Sequence, residues 1–245
     1  MTMDKVGERR QNNQGQWMTI IAYRKYNDID VKFDSGYIAE HKGYNHFQKG
    51  SIKDLFYPTV CGVGYVGGTK YSFAKDYGAY EVWRHMLFRC YRSDYKSYSD
   101  CEVCKEWHNF QAFAEWFYKN YYRVPNVRME LDKDLIKRTR IYSPDTCCFL
   151  PNNINTALVY QPKKRSANVH SGVFYAKDRS HPYETYAYFS DGSRKKMRFI
   201  TERSAFLFYS SEKERYIKEL AERYKEYLPD KVYQAMLGYK YKAAA

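Results

Sequence analysis

The spacing of apolar residues changes twice along this chain, and that change limits what it can fold into. Ile29, Val31 and Phe33 alternate with Asp28, Asp30, Lys32 and Asp34, the period of two that turns one strand face to a core and the other to water. Asp34-Ser35-Gly36 reads as a tight turn, residues 17–23 as the preceding strand, and 36–39, 44–47 and 62–68 as further short strands of a small bent sheet or barrel. From residue 75 the period becomes helical. Val82, Trp83, Met86, Leu87 and Cys90 share one face, and Trp107, Phe110, Phe113, Ala114, Phe117 and Tyr121 share another, which Pro125 ends. Ser143-Pro144-Asp145 is a turn signal before a short apolar run over 147–150. Strands return at 172–176, 185–189 and 196–200, the last two joined by a turn over 190–193. Thr201 is placed to cap a long helix buried along Ile217, Leu220, Ala221, Tyr224 and Leu228. Pro229 and Asp230 open a terminal helix that Gly238 closes. The pattern predicts an α+β protein in three parts. These are a small β-rich N-terminal module (1–74), a helical centre (75–158) and a sheet-plus-helix C-terminal part (159–245) entered through a polar basic linker, 159–169.

Several classes are excluded. No apolar run approaches the roughly 20 residues of a membrane span, and the first 16 residues lack the apolar stretch of a secretory signal. The six cysteines are therefore expected as reduced thiols or metal ligands, in the cytoplasm. Gly62, Gly64, Gly67 and Gly68 are not followed by the Lys-Ser or Lys-Thr of a phosphate loop and read as turns and bulges.

The charge is uneven. The chain has 245 residues with 41 Lys and Arg against 28 Asp and Glu, a net of +13. Residues 159–245 hold 18 basic and 10 acidic side chains, a net of +8, whereas residues 1–74 hold 10 and 7. Lys163, Lys164 and Arg165 on one side and Arg194, Lys195, Lys196 and Arg198 on the other flank a strand-like stretch. That is the electrostatic footprint of phosphate contact. There are 28 tyrosines, whose flat faces and hydroxyls suit stacking on bases and sugars. A polyanion, most often nucleic acid, is the partner this composition predicts; the competing reading is a solvated basic surface.

The run Trp83-x-x-Met86-x-x-Arg89-Cys90-Tyr91 is followed by Val103-Cys104-x-x-Trp107-x-x-Phe110-x-x-Phe113-x-x-Trp116. Leu131-Asp132-Lys133-Asp134, Tyr142-Ser143-Pro144-Asp145-Thr146-Cys147 and Asn152, Asn153 and Asn155 continue it. Residues 78–156 thereby resemble HNH-type endonuclease-like proteins of bacteriophages. The resemblance implies a metal-dependent nuclease centre in which a His on a hairpin deprotonates water and one divalent cation stabilises the leaving phosphate oxygen. This chain has no His between 109 and 169, where that base belongs, and Lys133 is protonated at neutral pH. Asp132 and Asp134 remain as candidate catalytic carboxylates able to hold Mg²⁺. Alternatively they pair with Arg138 or Arg140, or cap the turn.

Cys101-x-x-Cys104 with Cys147 makes a candidate structural zinc site like the core of treble-clef folds, with His108 as a substitute ligand. Cys147 and Cys148 are adjacent, so in a strand only one of them reaches the same metal. Buried thiols are the other reading, and Cys90 on an apolar helix face reads as core.

Gly172-Val173, the strand–turn–strand around Asp191-Gly192, and Phe199-x-Thr201-x-x-x-Ala205-Phe206 resemble the Apetala/ethylene-response type of DNA-binding domain. The resemblance implies three strands on one helix with the sheet laid in the major groove. Tyr175, Lys177, Arg179, Tyr186, Tyr188, Arg194, Lys196 and Arg198 are its candidate contacts. The expectation is a phage-type duplex DNA-binding protein with its nuclease centre reduced to a scaffold, acting in the bacterial host or carried in the virion. A nicking endonuclease, or an interaction protein that forms part of the virion or inhibits a host defence protein, are the alternatives.

Overall fold

The structure, a computed structural model, describes residues 5–92, 94, 98, 100–159, 169–177, 180–188 and 193–241. Helices and strands mix in an α+β chain that divides into two compact units, Met1–Tyr118 and Lys119–Ala245. The boundary falls inside the centre expected over 75–158.

In the first unit, β1 (Arg9–Gln11), β2 (Trp17–Lys25), β3 (Asp28–Phe33) and β4 (Ile38–Lys42) form an antiparallel sheet in sequence order. The period of two places Ile29, Val31 and Phe33 in a core with Met18, Ile20, Phe47 and Ile52. The Asp34–Gly36 turn forms as expected: Gly36 takes a φ of 95° and its N–H donates to the Phe33 carbonyl at 2.9 Å. Two expected strands are not strands. Residues 44–47 lie in a short helix, α1 (Tyr44–Gln48), because Tyr44 and Phe47, three apart, both turn into the core. Residues 62–68 make only isolated bridges, Gly64 to Val60 and Tyr65 to Asn109, since positive φ at Cys61, Gly62 and Gly67 breaks any extended run.

Next come α2 (Tyr77–Tyr91), the two-residue strand β5 (Glu102–Val103), a 3₁₀ turn at Lys105–His108 and α3 (Phe110–Asn120). The apolar spacing predicts one continuous helix from Trp107. Instead Asn109 separates the 3₁₀ turn from α3, its side chain accepting from the Gln111 N–H at 2.9 Å. Trp83, Met86, Leu87, Trp107, Phe110 and Phe113 are all nearly or fully inaccessible, and Trp83 Nε1 donates to the Trp107 carbonyl at 2.7 Å.

The second unit begins with β6 (Met129–Asp132), the two-residue β7 (Ile141–Tyr142) and β8 (Cys148–Pro151), which pairs antiparallel with β6 and runs straight into α4 (Asn152–Val159). Then β9 (Phe174–Tyr175), β10 (Tyr183–Tyr188) and β11 (Arg194–Phe199) form an antiparallel sheet in the order β11-β10-β9, followed by α5 (Glu202–Arg223) and α6 (Asp230–Leu237). Thr201 caps α5 as expected, its side chain accepting from the Ser204 N–H at 3.2 Å.

At 22 residues α5 is about 33 Å long, enough to serve two cores. Near its start, Ala205 and Phe206 pack with Val169, Val173, Tyr183 and Phe199 beneath the sheet. Further on, Ile217, Leu220 and Ala221 pack with Cys148, Leu150 and Ile154 of the hairpin and α4, and with Val232 and Met236 of α6. The expected part 159–245 therefore shares a core with residues 148–154. Gly172, at φ 93°, lies against the Tyr209 ring, where a Cβ would collide with ring carbons.

Candidate nucleic-acid interface

The β10–β11 register decides which side chains share a face of the C-terminal sheet. Tyr183 pairs with Phe199, Thr185 with Met197 and Ala187 with Lys195. Because Tyr183 and Phe199 pack on the α5 side, every second residue from them faces the helix. The intervening pairs, Glu184 with Arg198 and Tyr186 with Lys196, face away from it, as does Arg194 at the register position opposite residue 188. Phe174 of β9, opposite Glu184, joins this open face.

The open face carries one connected network. Glu184 accepts from Arg198 Nε at 2.9 Å and pairs with Lys196 Nζ at 3.2 Å. The Arg198 hydrogen bond, against the opposing cost of burial and with Lys196 assisting, holds the Glu184 carboxyl below the usual carboxylate range. The Arg194 guanidinium lies 4.9 Å from the Tyr186 ring centre, Lys196 lies 6.0 Å from it, and Phe174 meets the same ring edge-on at 5.8 Å. Arg194, Lys196 and Arg198 are all exposed. The face thus combines three cations, one partly covered acid and an aromatic centre.

Register sets two of the expected contacts on the other face of the sheet. Tyr175 pairs with Tyr183 and Lys195 with Ala187, so both belong to the helix side of the sheet. They stay exposed at its margins but do not share a face with Arg194, Lys196 and Arg198. Lys177 is exposed just beyond β9. Lys163, Lys164, Arg165, Arg179, the turn residues 190–192 and the Tyr188 side chain lie outside the described residues.

Asp132 ends β6 opposite Cys148 and is only 4% exposed. Its Oδ2 accepts the backbone N–H groups of Asp134 at 2.8 Å and Leu135 at 2.7 Å. This is the turn-capping geometry. Burial pushes the Asp132 carboxyl above its ordinary value. Asp134 accepts from Lys133 Nζ at 2.7 Å, and the same ammonium donates to the Thr139 carbonyl at 3.1 Å. The two carboxylates are thus engaged in different local contacts.

None of the six cysteines is in a disulfide. Cys101 and Cys104 are half-buried in the first unit, while Cys147 and Cys148 are buried in the second, where burial pushes the Cys148 thiol up. His108 Nε2 lies 3.2 Å from the Val103 carbonyl and 3.4 Å from the Tyr91 hydroxyl. The group of three possible metal ligands found among the described residues is one that sequence reasoning misses: Asp28, Asp30 and His41, with ligand atoms within 4.8 Å of one another. Arg24 already supplies a cation there, bonding both Asp30 oxygens at 3.0 and 2.6 Å and Asp28 at 3.2 Å. The only sequence signal is Asp28 and Asp30 two apart on one strand face.

No family model, curated protein or solved structure matches the chain. No described helix is long and apolar enough to cross a membrane.

Proposed function

We propose that the chain binds duplex DNA through the open face of its C-terminal sheet, with the HNH-like centre acting as scaffold. The observation that carries this reading is the placement of Arg194, Lys196 and Arg198 on the side of the sheet away from α5, around Tyr186. Three exposed cations in one plane match phosphates along a groove, and an aromatic between them offers contact to sugars and bases. The antiparallel hairpin running directly into α4 supports the HNH-like reading of the centre. The commitment of Asp132 to capping its own turn supports its being a scaffold.

The test is fluorescence anisotropy on duplex oligonucleotides across a salt series, with nicking of supercoiled plasmid scored under the same conditions. The expected result is saturable binding whose log affinity falls linearly with log salt, and plasmid that stays supercoiled with Mg²⁺ or Mn²⁺. A slope near zero removes the DNA reading. Metal-dependent nicking that Asp132→Asn abolishes makes the centre a working nuclease.

A further inference from the structure

Within the first unit a cavity of about 310 Å³ is bordered by the β1–β2 turn, the stretch 53–59 and the start of α2. The volume is at the lower end of the range for small-molecule sites, roughly 300–1,000 Å³. Local hydrogen bonds build its walls. Asn12 Nδ2 donates to the Ile52 carbonyl at 3.1 Å and the Asn13 N–H to the Gly50 carbonyl at 2.8 Å, which ties the turn carrying Gln14 to the stretch carrying Lys53. The Asp54 carboxylate accepts the Phe56 N–H at 2.8 Å and the Ser35 hydroxyl at 2.5 Å, and the Asp54 carbonyl accepts the Tyr57 N–H at 3.4 Å. That turn leaves Tyr57 and Thr59 exposed. The Gly67 N–H donates to the Leu55 carbonyl at 2.8 Å, which holds Leu55 beside Val66 as an apolar part of the lining.

Two properties of the lining select a ligand. Gln14, Lys53, Tyr57, Thr59 and Tyr80 border the cavity, and none of their side chains has a hydrogen-bond partner among the described residues. Burial pushes the Tyr80 phenol up, so it stays a donor at neutral pH. The second property is open aromatic surface. Tyr57 is 42% exposed and Phe73 is 55% exposed. Phe73 is held as a platform by edge contacts with Tyr77 at 5.4 Å and Tyr80 at 5.1 Å. A wholly apolar ligand would leave the polar groups unpaired, at a cost for each. A flat heterocycle carries its polar atoms in one plane, whereas the polar groups here come from three separate stretches of chain. A pyranose ring meets both properties. Its C–H faces pack on an aromatic ring, and the hydroxyls round its rim donate and accept as the hydroxyls of Tyr57, Thr59 and Tyr80 do. Among the described lining residues Lys53 and Asp54 bring one charge of each sign, which suits a neutral ring.

We propose that this cavity binds a neutral pyranose sugar, its C–H face on the rings of Tyr57 and Phe73 and its hydroxyls bonded to Gln14, Thr59 and Tyr80. The inference does not rest on the DNA reading.

Saturation-transfer NMR titration of the full chain tests it, using the methyl glycosides of glucose, galactose, mannose and N-acetylglucosamine, with the four common uncharged nucleosides as the flat-ring comparison. At least one glycoside is expected to bind saturably, with a Kd in the millimolar range and more tightly than any of the nucleosides. Tyr57→Ala is expected to weaken it by about tenfold, the scale of one lost aromatic contact. Gln14→Ala is expected to weaken it by about fivefold, the scale of one hydrogen bond. Both residues are exposed, so both variants are expected to fold, and Gln14→Ala carries the test alone if Tyr57→Ala does not. Tyr26→Ala, which removes a ring of similar exposure away from the cavity lining, is expected to bind the glycoside as wild type does. So is the Arg194→Ala, Lys196→Ala, Arg198→Ala variant, which separates this site from the sheet face. The proposal is overturned if none of the four glycosides binds up to about 50 mM, well beyond the range in which a specific site saturates. It is also overturned if a nucleoside binds as tightly as the best glycoside. Binding that Tyr57→Ala and Gln14→Ala both leave unchanged, or that Tyr26→Ala or the sheet-face variant abolishes, overturns it as well.

Discussion

Each unit carries an antiparallel sheet with a network of carboxylates and cations on it, and the two networks differ in balance. On the N-terminal sheet Arg24 bonds Asp30 and Asp28, while the His41 backbone N–H donates to Asp30 at 3.0 Å and its Nδ1 lies 2.9 Å from Asp28. Two acids share one guanidinium. On the C-terminal sheet one acid, Glu184, holds Lys196 and Arg198, and Arg194 stands over Tyr186. The first network uses its cation internally. The second has cations to spare on an exposed face, and spare exposed charge is what a polyanion responds to.

The sharpest break between the two is charge removal. Arg194→Ala with Lys196→Ala and Arg198→Ala is expected to lower duplex affinity by on the order of a hundredfold at low salt. It should also flatten the salt slope by about three units, one for each phosphate that is no longer neutralised. Arg24→Ala, removing a comparable cation from the other sheet, is expected to leave both quantities unchanged. Anisotropy titrations of both proteins decide it. If Arg24→Ala loses the DNA and the triple variant keeps it, the assignment of the two faces is reversed.

The next effect is on the backing of the second sheet. A Cβ at Gly172 meets the Tyr209 ring and must also accept a φ of 93°. Gly172→Ala is expected to cost about 1–3 kcal/mol in the second unit, from the strained backbone and the displaced ring. Hydrogen exchange resolved by peptide is the measure. Protection should fall in β10, β11 and α5 and stay unchanged in β2 and β3. A uniform loss across both units would mean that they unfold together.

The two networks are unequally legible in the sequence. The alternation of Ile29, Val31 and Phe33, the helical faces of α2 and α3 and the Thr201 cap rest on local spacing, so they are readable. The five-residue α1 is too short to display a period, and Tyr44 and Phe47 suit either strand or helix until a core is present. The basic cluster at 194–198 is legible as charge. Its division between two faces is not, because that depends on the pairing of Lys195 with Ala187 and of Lys196 with Tyr186. The Arg24 network depends on the β3–β4 pairing, which brings His41, at a φ of 52°, beside Asp28. The linkage of α5 to the hairpin is hidden for another reason. Ala205 and Ile217 look alike in a helical pattern although they serve different cores.

A smaller change sharpens the same contrast from the acidic side. Among the described residues Glu184 is the carboxylate of the open face, and it holds two of the three cations. Glu184→Gln removes a charge that repels phosphate and releases Lys196 and Arg198 to it. Duplex affinity is expected to rise a few-fold, with a salt slope steeper by up to about one unit. A fall in affinity would indicate that Glu184 accepts a hydrogen bond from a base, as carboxylates do from cytosine. Titrations against duplexes differing in cytosine content separate the two outcomes.

The smallest expected effect belongs to the closed network and appears only in acid. The hydrogen bonds from Arg24, followed by the His41 backbone N–H, hold the Asp30 carboxyl at about 2. In an unfolded chain its ordinary value is about 3.9. A group depressed on folding adds stability that is complete above its unfolded value and lost as pH falls through its folded one. The contribution of Asp30 is therefore expected to be constant at neutral pH and to fade between about pH 4 and pH 2. Other carboxylates titrate in the same window, Glu184 and Asp28 among them, so the wild-type curve alone does not isolate it. The difference in Tm between wild type and Asp30→Asn does. It should be level from neutral pH down to about pH 5 and shrink steadily below about pH 4. A gap that persists unchanged to about pH 2 would mean that Asp30 acts through the shape of its hydrogen bonds, not its charge. The amide would then fail for its geometry, and the first sheet's network would be a packing feature with no electrostatic part.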